Sequence, residues 1–451
     1  MNNLQAGFSR VNVTPPLGCS VYGYFIPRFA EGVLDELYTR TLALSCGDTK
    51  VALISIDNGG ITRETLLPMI QRICKETGLP MEAVYIHSTH THTGPFADIH
   101  SENPLDIEYL KVLEEKLVEG VKLALEDLKP ARMGYGVGTA PRIAFVRRFR
   151  MKDGSVQTNP GVENPDIVAP IGQVDERVNV LRFVRDEDSL VLVNFGNHPD
   201  VVGGSKISAD WPGFMCSALE QAIPNTKCIF FNGAQGDVNH VNVHPQGGDL
   251  NDLVNDFDDV TRGYGHARHM GRVVAGGVLQ VFDKVCYVDI DTLRYGQKMV
   301  QVPSNMPDPC QLAEAHRINN LHVAGKDDQL PYGGMMLTTV VAEAARMVLL
   351  ENGPDFFEMP LSSIAIGNVA LVGLPGEPFT GIGRGLKEAE GWDLILPTCA
   401  TNAYEGYFPM QEAYDEGGYE ARSSNFKAGV AELLIEEGKN LLAELKKQGR
   451  K

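Results

Sequence analysis

Four apolar runs in this chain end in the same way. They are "AVYIHSTHTHTGP" (83–95), "LVLVNFGNHPD" (190–200), "CIFFNGAQGDVNH" (228–240) and "GNVALVGLPGEPFTG" (367–381). Each is short, rich in β-branched or aromatic residues, and gives way to a Gly- or Pro-containing turn that carries His, Asp or Glu. That pattern predicts buried strands whose C-terminal ends hold chemically capable side chains. Strand ends are where layered α/β proteins place their sites.

The rest of the chain fits such a frame. Further strand-like runs are "LALSC", "VALISID" and "VCYVDIDTLRY". Helical periodicity is expected over 63–77, 106–128, 212–223, 264–283, 336–350 and 425–448. Strands and helices alternate through the first 285 residues, and more strand-rich chain follows. The expected fold class is therefore α/β, a layered domain of mixed β-sheets flanked by helices, with residues 1–451 acting as one unit. Two stretches, 243–262 and 323–334, read as polar surface loops. The first is acidic but lacks the glycine-centred spacing of a calcium loop.

Composition narrows the function. The 451 residues are 43% hydrophobic and 22% charged, as in an ordinary globular protein, and the formal net charge is −18. Such a balance argues against nucleic acid or an anionic membrane surface as partner. The apolar runs are too short for a transmembrane helix. The start of the chain lacks a basic region followed by an apolar run, so no secretion signal is read there. The eight cysteines (Cys19, Cys46, Cys74, Cys216, Cys228, Cys286, Cys310, Cys399) form no CxxC pair. They read as reduced thiols, and the expected address is cytoplasmic.

The densest signal is the first junction. If the backbone stays extended, His90 and His92 point to one side, because side chains repeat every two residues. His87 has the opposite parity and reads as structural. An HxH pair at a strand end suits a metal ion, though hydrogen-bonded histidines at a strand terminus remain the alternative. A metal needs further ligands, and His198 and the carboxylate of Glu377 end comparable runs. Gly233, Gly236 and Asp237 are candidate pocket residues, since glycines permit close backbone approach. Asp57 and Asp210 are candidates to orient ligand histidines. His266 and His269, three apart on a helix, read as packing or solvent residues.

Seven segments together resemble one family, the neutral (non-lysosomal) ceramidases and their shorter bacterial relatives. They are "VTPPLGCSVYGY" (13–24), "STHTHTGP" (88–95), "GNHPDVV" (196–202), "SADWPG" (208–213), "NGAQGDVN" (232–239), "LPGEPFT" (374–380) and "TNAYEGYFPMQEAYDEGGYEA" (401–421). They run in the family's order over nearly the whole chain.

The resemblance implies a ceramidase-like catalytic domain and a mononuclear zinc site held by His90, His198, Glu377 and Tyr407. It implies that His92 contacts the substrate carbonyl or moves a proton, and that Tyr419 donates to the oxyanion. It also implies an arginine at the pocket, either Arg147 or Arg148. Where the family carries two serines, this chain has Gly233 and Asn239, so no serine nucleophile operates there. An immunoglobulin-like C-terminal domain is not expected after the helix at 425–448. The expected activity is zinc-dependent hydrolysis of a linear amide by activated water, on a small-molecule or lipid-like amide other than ceramide itself. An esterase or lactonase is the alternative, and a non-catalytic zinc protein a further one.

Overall fold

Val51–Ile56 is buried at every position, as only a strand covered on both faces can be. A computed structural model of the chain describes residues 4–253, 257 and 261–448. Three sheets carry the fold. The first contains β1 (Leu4–Asn12), β2 (Tyr38–Cys46), β3 (Thr49–Ile56) and β4 (Val84–Ser88), in the order β4-β3-β2-β1 with Lys129–Pro130 at the far edge. The second contains β5 (Arg132–Thr139), β6 (Arg177–Val184), β7 (Ser189–Phe195), β8 (Thr226–Asn232) and β9 (Cys286–Val288), in the order β8-β7-β6-β5-β9. The third runs β10 (Leu293–Pro303), β11 (Phe356–Ile366), β12 (Val369–Gly373) and β13 (Leu394–Thr398) in chain order.

Each sheet is antiparallel except for one parallel pair at its edge: β3 with β4, β7 with β8, and β12 with β13. A parallel pair needs a crossover, and each has a helix in it. These are α1 (Arg63–Thr77), α2 (Asp210–Ala222) and α3 (Thr380–Lys387). The mixed α/β architecture expected from sequence is therefore present, built from three edge βαβ units.

The sheets share one core. Leu42, Leu53 and Tyr85 of the first, Leu181, Leu192 and Phe231 of the second, and Ile364, Leu371 and Leu396 of the third all meet there. Polar links tie the parallel edges together at their C-terminal ends. Tyr85 Oη lies 2.6 Å from Thr398 Oγ1, Ser55 Oγ donates to Phe230 O at 2.6 Å, and Asn194 Nδ2 donates to Pro397 O at 3.0 Å. Asn402 accepts from Ile86 N–H at 2.8 Å and donates to Ser362 Oγ at 2.8 Å.

The expected helices appear with shifted ends, as Pro104–Glu126, Tyr264–Leu279, Gly334–Leu350 and Val430–Gln448 among others. The loop expected over 323–334 lies between the helices that end at Val323 and begin at Gly334, and holds one 3-10 turn at Asp327–Gln329. A helix at Leu312–Val323 was not legible in the sequence, because it buries only Ala315 and Ile318 and so shows almost no apolar stripe. Of the loop expected over 243–262, residues 254–256 and 258–260 lie outside the described residues. No helix among the described residues is long and apolar enough to cross a membrane.

The polar links predict a specific cost. Asn402→Ala removes the buried acceptor of Ile86 N–H and should destabilise the protein by about 1–3 kcal/mol, read as a lower urea midpoint. An unchanged midpoint contradicts a structural role for that link.

Candidate active site

β4 ends at Ser88, and the chain beyond it does not stay extended. His90 adopts φ 71°, in the left-handed region, a conformation that costs a non-glycine residue about 1–3 kcal/mol. Its surroundings hold it there. The N–H groups of His90 and Thr91 both donate to Asn58 O, at 2.9 and 3.1 Å, and His90 Nδ1 donates to Gly59 O at 2.5 Å. The parity argument for pairing His90 with His92 is thus corrected. A tight turn, not an extended strand, brings their Nε2 atoms to 3.3 Å. His87 lies in the strand itself, where its Nε2 accepts from Asn232 N–H at 2.9 Å.

The other two edge units deliver their side chains to the same point. His198 follows β7, and its Nδ1 donates to the carbonyls of Gln235 and Val238 at 2.9 and 3.0 Å. Glu377 follows β12 in a short parallel ribbon that pairs it with Tyr407. Gly376 makes that ribbon possible, since a Cβ there would lie 2.3 Å from Gly406 O. Glu377 Oε2 stands 3.3 Å from His90 Nε2 and 2.9 Å from His198 Nε2. Its Oε1 accepts from Tyr404 Oη at 2.6 Å, and Gln235 Nε2 donates to Oε2 at 3.3 Å.

The protonation pattern decides what this cluster can bind. Both Nδ1 atoms face carbonyls, which only accept, so in the neutral rings Nδ1 carries the proton and Nε2 presents a lone pair. His198 Nε2 is buried without a hydrogen-bond partner despite its 2.9 Å approach to the carboxylate. Nitrogen and oxygen lone pairs thus converge in a buried space, and the imidazole nitrogens of His90, His92 and His198 lie within 4.8 Å of one another. Such a donor set fits a divalent cation.

Electrostatics follow the same geometry. Burial opposes charge on His90, but the adjacent Glu377 carboxylate outweighs it and raises the imidazole pKa. Burial lowers His198, with Arg147 adding to the effect. Burial holds His92 well below the usual histidine range, leaving a neutral ring. Burial would raise Glu377, yet the His90 and His198 rings hold its carboxyl well below the ordinary value.

His92, beside the cluster, borders a cavity of about 1070 Å³ that Arg147, Tyr407 and Tyr419 also line. The Tyr407 and Tyr419 rings stand 5.6 Å apart at 75°. Arg147 lies 5.4 Å from the Tyr407 ring centre and pairs with Glu420 at 2.7 Å. Burial raises the Tyr407 phenol well above its ordinary value, and Arg147 pulls against that rise. Of the two candidate arginines, then, Arg147 faces the cavity. Arg148 turns away to Gly417 O at 2.9 Å and Glu416 at 3.3 Å.

Other candidates stand elsewhere. Asp237 does not line the cavity, because its carboxylate accepts from Thr380 N–H at 2.6 Å and Thr380 Oγ1 at 2.9 Å. Gly236 packs under Glu377, where a Cβ would lie 2.6 Å from Glu377 O, and Gly233 packs on Gly196. This loop shapes the floor beneath the cluster. Asp57 binds Arg40 at 2.9 Å, and Asp210 accepts from Val201 and Val202 N–H at 2.9 and 2.8 Å, engagements that leave neither orienting the His90 or His198 imidazole. His266 and His269, read as packing or solvent residues, line the cavity instead.

Three further residues went unread in the sequence. Asp200 Oδ1 lies 3.5 Å from His92 Nδ1, and only its place two residues after His198 hinted at it. Tyr404 is the first tyrosine of the "NAYEGY" segment whose second had drawn attention. Gln235 carried no signal beyond its Gly-bracketed loop.

The sequence matches no family model. Among solved structures, neutral ceramidase from Pseudomonas aeruginosa aligns with a TM-score of 0.76 at 18% identity, over 99% of this chain and 75% of that one. The chain has the neutral ceramidase fold. A ceramidase complexed with C2 aligns similarly, with a TM-score of 0.74 at 18% identity over 99% of this chain and 76% of that one. Across this ceramidase fold the three parallel edges converge on His90, His198 and Glu377.

The convergence predicts metal retention that depends on each donor. His90→Ala, His198→Ala and Glu377→Ala should each weaken divalent-metal binding by more than ~10²-fold, beyond the cost of losing a supporting contact. Elemental analysis after dialysis checks it, and full occupancy in all three variants contradicts the site.

Proposed function

We propose that this protein is a zinc-dependent hydrolase of linear amides, and that residues 1–451 act as a single catalytic unit. The observation that carries the reading is the convergence of His90 Nε2, His198 Nε2 and Glu377 Oε2 beside a large cavity. We assign these three residues as ligands and Tyr407 as the fourth, supported by its pairing with Glu377 and by Arg147, whose charge favours a phenolate. A zinc ion held there would polarise the amide carbonyl and lower the pKa of a water molecule from ~15.7 toward ~7.

The chain's own groups handle the protons and the developing charge. His92 is neutral and reaches the cluster from the cavity side, so its first act is to accept a proton from the attacking water. The water oxygen adds to the carbonyl carbon. His92 then returns the proton to the amide nitrogen as the C–N bond breaks, releasing a carboxylic acid and an amine. Asp200, 3.5 Å from His92 Nδ1, favours the ring while it holds that proton. Tyr419 Oη, protonated because burial raises its pKa, is the donor to the tetrahedral oxyanion.

The substrate class assigned is a small-molecule or lipid-like amide. A cytoplasmic address belongs to the same proposal and is supported by eight unpaired cysteines, with Cys286 and Cys310 exposed.

Three readouts test this function. Chelation should abolish amide hydrolysis, and added zinc should restore it. Tyr419→Phe should lower kcat by ~10²–10³-fold, the usual cost of one oxyanion donor. His92→Ala should slow an amide far more than the matched ester, since an alkoxide leaves with less help than an amine. Amide hydrolysis that survives complete metal removal would overturn the proposal, and equal losses on amide and ester would remove His92 from protonation of the leaving amine.

A further inference from the structure

No strong hydrogen bond orients the His92 ring. Its Nδ1 lies 3.5 Å from Asp200 Oδ1 and is buried without a hydrogen-bond partner among the described residues. That separation exceeds the ~3.2 Å of a good N–H···O bond. Its Nε2 faces His90 Nε2 at 3.3 Å, an atom assigned to the metal. Packing must therefore set the direction of this imidazole.

The packing comes from a hairpin at residues 19–30. Backbone pairs close its base, where Ala30 N–H donates to Cys19 O at 2.8 Å and Val21 N–H to Arg28 O at 2.9 Å. Its tip lies on the imidazole. A Cβ at Gly23, where φ is 111°, would stand 2.7 Å from His92 Cγ, so the backbone itself meets the ring. The ring centres of Tyr22 and Tyr24 lie 5.8 and 6.4 Å from that of His92.

Arg28 ties this tip to the residue beneath it. Its Nη2 donates to Tyr22 O and, at 2.7 Å, to the backbone oxygen of His92, while Nη1 donates to Gly204 O at 2.5 Å. The guanidinium carbon stands 3.7 Å from the centre of the Tyr24 ring, whose hydroxyl donates to Asp200 Oδ1 at 3.4 Å. One planar fork thus holds three carbonyls from separate segments, which the point charge of a lysine does not do. The hairpin closes at its base without these bonds. What the fork adds is a fixed place for the tip against His92.

We infer that Arg28 is a positioning residue for proton transfer: it clamps the hairpin tip to the His92 backbone and so holds the imidazole in line with the scissile amide. This inference rests on the reading of His92 as the proton carrier.

A double-mutant cycle on the zinc-loaded protein tests it. Arg28→Met removes the fork, and Arg28→Lys keeps the charge. Arg28→Met should lower amide kcat by about 10²-fold, the cost of a misplaced catalytic group, with zinc content unchanged and Arg28→Lys intermediate. In a His92→Ala background neither substitution should lower amide kcat further, because the clamp acts through the ring. A second readout needs no catalysis. Carbethoxylation of His92 by diethyl pyrocarbonate, located by peptide mass spectrometry, should run several-fold faster in both variants than in the wild type. Should Arg28→Met fail to fold, the same measurements on Arg28→Lys decide. A wild type that hydrolyses no amide, with faster carbethoxylation in the variants, keeps the clamp on His92 and sinks the hydrolase reading. An unchanged kcat, an equal loss with and without His92, or an unchanged carbethoxylation rate overturns the clamp.

Discussion

Two imidazole nitrogens aimed at one buried carboxylate oxygen are held together only by a proton or a cation between them, and the centre of this protein is built around that requirement. His90 and His198 spend their Nδ1 protons on backbone carbonyls, leaving both Nε2 atoms aimed at one carboxylate oxygen of Glu377. With all three residues about 1% exposed, water cannot meet that requirement. A cation can. The carbonyls of Gly59, Gln235 and Val238 are therefore as much a part of the centre as the three side chains, because they fix which nitrogen is free.

The fold supplies the stiffness that such a centre needs. Each candidate ligand leaves the C-terminal end of a parallel edge pair, and the three pairs share a single apolar core with buried polar links between them. Rigid strands set the separation to within a side chain's reach, and the short irregular segments after them set the final direction. The left-handed turn at His90 and the ribbon pairing Glu377 with Tyr407 are two such segments. Conformational strain at His90 is held by surrounding hydrogen bonds, as strained backbone at a site must be.

Much of this was legible in the sequence, because apolar runs and Gly–Pro junctions are local signals. Strands ending near Ser88, Phe195 and Gly373, and their polar junctions, follow from composition over a few residues. What stayed hidden depends on long-range placement. Parity gave the right pairing of His90 and His92 for the wrong reason, since the turn is set by Asn58 and Gly59 on a neighbouring strand's end. Choosing Arg147 over Arg148 needed the direction in which two adjacent side chains point. Asp200 announces itself only when distant segments share a cavity, and Tyr404 only when its segment lies beside Glu377. Gly233, Gly236 and Asp237 look like pocket residues from composition, yet their close approach serves packing beneath Glu377 and Thr380.

The central claim is spatial, one cation among four side chains far apart in sequence, and anomalous diffraction from crystals of the zinc-loaded protein tests it most directly. Data collected on either side of the zinc edge should place a single anomalous peak ~2.0–2.2 Å from His90 Nε2, His198 Nε2 and a Glu377 oxygen, with the Tyr407 oxygen also in the coordination sphere. A peak elsewhere in the chain, or none at that point in fully loaded crystals, would contradict the account.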